Sequence, residues 1–305
     1  MAPRSPARVG RIGRAMTFDT SDFAFGLLWT GGALATVMAV TFVAGLRAGK
    51  HSVVDTVWGL LFVTAAATSL IVSHDHGDTA RRWILAVMVV IWGVRLAVHN
   101  GRRSAGKGED PRYEKLLSTG RAGPRVNAAV KIYLPQLLIA FLVSAPVQVG
   151  SFVPAGVGVL TVAGILVWGV GMFFEAVGDA QLERYKAWKK AQPPDTVEAS
   201  VLDRGLWRYT RHPNYFGDAC VWWGVFLVAA EGLPGVFSIV GPVLMTFLLT
   251  AGSGKKTLER SMATRPGYPE YMDRTSGFFP LPPKAEPAGP PAGRPSKRDI
   301  AILTR

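Results

Sequence analysis

VPAGVGVLTVAGILVWGVGMFFEAV, residues Val153–Val177, holds a single charged residue, Glu175, in 25 positions. A run of that length covers a hydrocarbon core, which asks for about 20 helical residues. Within it, Gly169-x-Gly171 follows no strand, so the glycines are read as sites of close helix packing and not as a soluble dinucleotide fingerprint. Six further apolar stretches flank this one, near 23–46, 52–73, 83–99, 127–147, 213–230 and 234–251. The third and sixth of the seven are short and carry polar groups, which puts the count between six and eight. The expected fold is all-α: a polytopic integral membrane bundle of about seven transmembrane helices.

Composition agrees. Of 305 residues, 49% are hydrophobic and only 18% charged, too few charges for the surface of a soluble α/β enzyme. One cysteine, Cys220, excludes an intramolecular disulfide and a multi-thiolate zinc site. The net charge of +13 does not point to nucleic acid, because the basic residues fill the gaps between apolar runs. Along the chain this gives an N-terminal segment 1–22, an N-terminal transmembrane half 23–150, a C-terminal membrane domain 151–280 and a disordered tail 281–305, rich in Pro, Ala, Gly and Lys.

Lysine and arginine set the orientation. Residues 100–126 carry seven, 178–212 seven and 252–305 ten, while 148–152 and 231–233 carry none. The basic segments are therefore cytoplasmic, Arg47 and Lys50 lie inside, and Arg81 and Arg82 outside. Arg4, Arg8, Arg11 and Arg14 then sit on the wrong face, a conflict that a start at Met16 removes. The first apolar run has span length and no cleavage site after it, so no cleaved signal peptide is expected.

Ionisable groups at membrane depth need a reason. Asp55 and Arg95, in consecutive spans, fall near the same face, either as a structural ion pair or as the lining of a polar cavity. Glu175 and Asp179 are four apart on one helix face and call for a compensating cation or donor. His74-x-His76, with no third ligand nearby, is read as a solvated loop and no metal site is expected. Lys131, near a span end, can snorkel.

The densest polar run is Gly205-Leu-Trp-Arg-Tyr-Thr-Arg-His-Pro-Asn-Tyr-Phe-Gly-Asp218, followed by Ala-Cys-Val-Trp-Trp-Gly224. Pro213 suits the first turn of a helix, so Asn214 and Asp218 enter the bilayer on one face. Arginine forks at Arg208 and Arg211 match phosphate oxygens, and an amide with a carboxylate matches a ribose or carboxamide. A second polar stretch, Ser253-Gly-Lys-Lys-Thr-Leu-Glu259-Arg260 through Arg265-Pro-Gly-Tyr268-Pro-Glu-Tyr271 to Phe278-Phe-Pro280, supplies further cations, which a positive-inside tail would also carry.

These motifs, with Glu175-x-x-x-Asp179 upstream, D-x-x-W-G at Asp55–Gly59 and R-L at Arg95–Leu96, resemble the bacterial domain-of-unknown-function family 1295, related to steroid 5-alpha-reductase and the sterol C14 and delta-14 reductases. The resemblance implies a membrane-embedded, NADPH-dependent oxidoreductase acting on CH-CH groups, with Asn214, Tyr215 and Asp218 near the nicotinamide half and Asp179 at an acidic cofactor-binding position. Glu175 falls where the steroid reductases carry asparagine. Arg211, His212 and Arg260, with Arg208, would hold phosphate or ribose. In steroid reductases an acid and a tyrosine of the N-terminal half polarise the substrate carbonyl; here those positions do not align, and Asp55, Tyr113 and Tyr133 are the catalytic candidates.

The expected reaction is hydride transfer from NADPH to a C=C or C=O of an apolar lipid or steroid-like substrate, with the bilayer as its other partner, no nucleic acid or protein partner, and the cofactor entering from the cytoplasm. The alternative is an S-adenosylmethionine-dependent methyltransferase of the isoprenylcysteine or phospholipid type, which is similar in the R-H-P-x-Y-x-G core. A channel or transporter, the third class, explains buried charges but not a clustered nucleotide-shaped motif.

Overall fold

The computed structural model describes residues 17–118, 123–193, 201–252 and 254–284. Among these every regular element is helical and none is a strand. In chain order they are α1 (Thr20–Ala48), α2 (Val53–Val72), α3 (Thr79–Ser104), α4 (Pro111–Ser118), α5 (Pro124–Val143), α6 (Ala145–Gly150), α7 (Val159–Lys190), α8 (Pro213–Ala229), α9 (Leu233–Val236), α10 (Val240–Thr250), α11 (Lys255–Met262) and α12 (Tyr268–Arg274). Six helical stretches are long and apolar enough to cross a membrane: α1, α2, α3, α5, α7, and the run from α9 into α11, Leu233–Met262. Helix α8 has 17 residues, about 25 Å at 1.5 Å per residue, and completes the seven expected.

The boundaries differ from the sequence reading where polar residues lie inside helices. The third span, expected short, is a continuous 26-residue helix. The fifth runs on to Lys190 past its acidic pair. The fourth contains a π turn, Ala129–Tyr133, and stops at Val143, with α6 following. Residues 1–16, on which the Met16 start depends, and 285–305, most of the expected tail, lie outside the described residues. The first tail residues are docked: Leu281 N–H donates to Tyr209 O at 3.0 Å and Lys284 N–H to Arg274 O at 2.9 Å.

The described residues fall into two compact units, one drawn from 1–168 and 222–245, the other from 169–221 and 246–305. In the first, α1 starts on Asp19, whose carboxylate accepts from Ser21 N–H and Asp22 N–H, and ends on Gly49 in the left-handed region at φ 60°, a conformation cheap for glycine. Its buried face, Gly26, Thr30, Leu34, Met38, Thr41 and Gly45, follows the helical period. Helices α2 and α3 cross backbone against backbone: a Cβ on Gly93 would stand 2.6 Å from Gly59 O. Fully buried Phe62, Trp92 and Trp222 fill the interior beside that crossing, with ring centroids 4.8–5.3 Å apart.

Arg81 and Arg82, expected just before the third span, lie inside its helix. Both are buried, Arg81 completely, in the first turn of α3. Arg81 donates to Val228 O (3.1 Å), Val153 O (3.2 Å), Gly156 O (2.6 Å) and Ala155 O. Arg82 donates to Ser73 Oγ, His74 O and Leu70 O at 2.6–2.9 Å. The guanidiniums satisfy carbonyls that helix ends leave unpaired, Val228 O near the end of α8 and Leu70 O near the end of α2. His76 is likewise not solvated: only 12% of its side chain is exposed, and it faces Asp22 at 3.3 Å and Phe152. His74 stays exposed beside Asp75.

In the second unit the inner part of α7 meets α8 with no side chain between. A Cβ on Gly171 would stand 2.6 Å from Gly217 O and Val221 N, and one on Gly217 2.5 Å from Glu175 N. Gly171 thus packs as expected, whereas Gly169 meets nothing within 4 Å. The glycine of Y-F-G-D serves helix approach. Gly217→Val is expected to force the helices apart and lower stability by about 2 kcal/mol, visible as a lower melting midpoint in detergent; an unchanged midpoint would contradict this packing role.

Candidate functional site

Each unit holds a polar cluster built from the residues singled out in the sequence. In the first, Asp55 sits in the opening turn of α2 and Tyr113 on α4. The Tyr113 hydroxyl donates to Asp55 Oδ1 at 2.5 Å, and Arg112 Nη2 approaches Asp55 Oδ2 at 3.3 Å. Arg112 is itself steadied by Asp110 at 2.9 Å. Gln136 Nε2 reaches the Tyr113 oxygen at 3.4 Å, and Asn100 Nδ2 donates to Asp55 O. Tyr113 is 9% exposed. Burial, then the neighbouring Asp55 charge, push its hydroxyl well above the ordinary phenol range, so it remains a proton-bearing donor at neutral pH.

Of the three catalytic candidates the structure therefore joins two. The third, Tyr133, lies against His51, its hydroxyl 3.1 Å from Nδ1, one helical turn before Asp55. The π turn ending at Tyr133 delivers it there, and Gly45 makes room: a Cβ on that glycine would collide with the Tyr133 hydroxyl.

In the second unit, Glu175 and Asp179 are both buried on α7, and Asn214 on α8 donates from Nδ2 to Asp179 Oδ1 at 3.2 Å. The donor that the acidic pair required is thus supplied by the amide one residue into α8. Gly178 permits it, since a Cβ there would stand 3.1–3.3 Å from Pro213 and Asn214 N. Asp218, half-buried, follows one turn after Asn214. Tyr215 stacks on His212, centroids 5.1 Å apart and planes within 2°.

Arg211 and His212 are both engaged by groups of their own chain. Arg211 donates from Nε to Glu259 Oε1 at 2.8 Å and from Nη1 to Met272 O and Thr275 O at 2.8 and 2.6 Å, while its backbone N–H donates to Ser276 O. His212, 1% exposed, meets Glu259 Oε1 at 3.1 Å. Burial lowers the His212 pKa, partly countered by Glu259, and favours the neutral imidazole. These two side chains tie the start of α8 to α11, to α12 and to the segment after it. Arg208 and Arg260, by contrast, are exposed.

Four contacts on this side were not legible residue by residue. Glu259 anchors Arg211 and His212 from 48 and 47 positions away, and the L-E-R motif was the signal that contained it. Trp207 Nε1 donates to Gly178 O at 3.0 Å, and the Tyr271 hydroxyl to Trp207 O at 2.6 Å. Trp207 and Tyr271 belong to the two polar runs, and their pairing explains why both runs are aromatic.

A helical fold with six membrane-length apolar stretches defines a multi-pass membrane protein in a lipid environment. A family model described as protein of unknown function (DUF1295) matches residues 41–275, and the chain belongs to that family. It is also similar to an uncharacterized protein of Schizosaccharomyces pombe, 22% identical over 288 residues, covering 86% of this chain and 81% of the relative. No solved structure matches the chain at a significant level.

Proposed function

We propose that the protein is an NADPH-dependent reductase of an electron-poor C=C or C=O in an apolar lipid. The observation that carries the reading is the hydrogen bond from Tyr113 to Asp55 at 2.5 Å, an acid–tyrosine couple of the kind the resemblance to steroid 5-alpha-reductase implies. NADPH, when bound, supplies the hydride. The donor set of the second unit fits such a group: Asp179, Asn214 and Asp218 offer carboxylate and amide partners for ribose hydroxyls and a carboxamide, Tyr215 an aromatic face, and the exposed Arg208 and Arg260 cations for phosphate. Arg211 and His212 drop out of this set and act as its frame.

Tyr113 then serves the substrate oxygen. In the reacting form a proton lies on Asp55, whose O–H donates to the phenol oxygen, and the phenol O–H turns to the carbonyl whose charge grows during reduction. The proton delivered to substrate is replaced through Asp55 from water. Arg112 and Gln136 hold the couple in register.

Thermal unfolding of the detergent-purified protein tests the reading. NADPH at a hundredfold excess over Kd is expected to stabilise it by about 2.7 kcal/mol, and Asn214→Ala or Asp218→Ala to remove that gain without loss of expression. Stabilisation by S-adenosylmethionine alone would replace the reductase with the methyltransferase.

A further inference from the structure

We propose that Glu109 is a positioning residue for the Asp55–Tyr113 couple, holding the segment between α3 and α4 so that the Tyr113 hydroxyl reaches Asp55. The inference rests on the donor role given above to that couple. It starts from the N-terminus of α2, where Ser52 makes no side-chain cap and the first amides are left without helical partners. Glu109 supplies the missing acceptor from 57 residues away: its carboxylate accepts Ser52 N–H at 2.9 Å and His51 N–H. An anion at a helix N-terminus is further favoured by the helix dipole.

The same carboxylate accepts Asp110 N–H at 2.9 Å, which fixes the start of α4. From there the path to the couple is short. Asp110 O accepts Tyr113 N–H at 2.8 Å, and the Asp110 carboxylate accepts Arg112 N–H at 2.9 Å and the Arg112 guanidinium. On the other side Asp55 N–H donates to Ser52 O. Glu109 thus grips both arms of the couple at their roots, the opening of α2 that bears Asp55 and the opening of α4 that bears Tyr113. Lys50 closes the clasp, donating from Nζ to Lys107 O at 2.9 Å and Ser104 O at 3.2 Å.

Burial alone would raise the Glu109 carboxyl, but the hydrogen bonds from His51 N–H, the Ser52 side chain, Ser52 N–H and Asp110 N–H outweigh it and hold the group below its ordinary value of 4.5. Because the folded-state value is depressed, the clasp is intact above that value and fades as pH falls below it.

Tyrosine nitration by tetranitromethane, resolved by peptide mass spectrometry on the full-length protein in detergent, tests the proposal without any substrate. In the wild type, buried Tyr113 is expected to react slowly and exposed Tyr209 fast. Glu109→Ala is expected to raise the Tyr113 rate about tenfold, towards that of Asp55→Asn, while Glu109→Gln, which keeps one acceptor oxygen, raises it about threefold or less. Tyr268 and Tyr271, buried in the other unit, keep their wild-type rates. Tyr113 as protected in Glu109→Ala as in the wild type overturns the proposal, and so does a parallel rise at Tyr271, which signals general unfolding. Failure here leaves NADPH stabilisation untouched, so the two readings fail separately.

Discussion

Tyr113→Phe is expected to cut turnover of an apolar α,β-unsaturated ketone by a factor of about 10² to 10⁴, the usual worth of a positioned proton donor, while NADPH stabilises the variant as it does the wild type. The ring keeps its packing, so only the O–H offered to Asp55 is lost. Asp55→Asn should lose a similar factor, because its amide cannot resupply the proton. The double variant should lose little more than either single one, since the two groups act as a unit. Tyr133→Phe, whose hydroxyl faces His51, should keep most of the rate. The raised Tyr113 hydroxyl also fixes the pH dependence: the donor stays protonated below and beyond the ordinary phenol value of 10.0, so no loss of rate on the alkaline side below that value should come from it. Initial NADPH oxidation rates across pH decide the matter, and a Tyr113→Phe enzyme with wild-type turnover would remove the couple from the chemistry.

Arg81→Ala is the second large effect, and it concerns folding. Val228 O, near the end of α8, Ala155 O and Gly156 O lose the guanidinium's hydrogen bonds, and Val153 O keeps only Asp78 N–H, all around a side chain that is itself fully buried. Each unsatisfied buried group costs about 1–3 kcal/mol, so the variant should fail to accumulate or melt far below the wild type. Arg81→Lys should rescue little, because one ammonium cannot reproduce the planar fork. Arg102→Ala, on the exposed last turn of the same helix, should leave the melting midpoint unchanged. An Arg81→Ala protein as stable as that control would refute the clamp.

The spans were legible because apolar length is a local property: 153–177 announces a membrane helix without knowledge of its neighbours, although the helix itself starts only at Val159. The burial of Arg81 and Arg82 was not legible for the same reason. A rule that treats arginine as loop charge does not see that these two guanidiniums end among carbonyls from residues 70–74, 153–156 and 228. Glu175, Asp179 and Asn214 were singled out by their polarity, yet Asn214 as the partner of Asp179 required the approach that Gly171, Gly178 and Gly217 permit. Asp55 and Tyr113 were both named, but 58 positions separate them, and only the strap held by Glu109 makes them a pair. Arg211 and His212 were chosen for charge, and charge does not say whether a cation faces a ligand or, as here, a carboxylate of its own chain.

The π turn at Ala129–Tyr133 has a genealogical consequence. Such a turn holds one residue more than the α-helix would need over the same rise, and every side chain beyond it is rotated by about 100° relative to an uninterrupted helix. A homologue whose alignment shows a single-residue deletion across 129–133 should therefore turn the residue matching Gln136 away from its tyrosine, and that lineage would have to recruit another side chain to orient it.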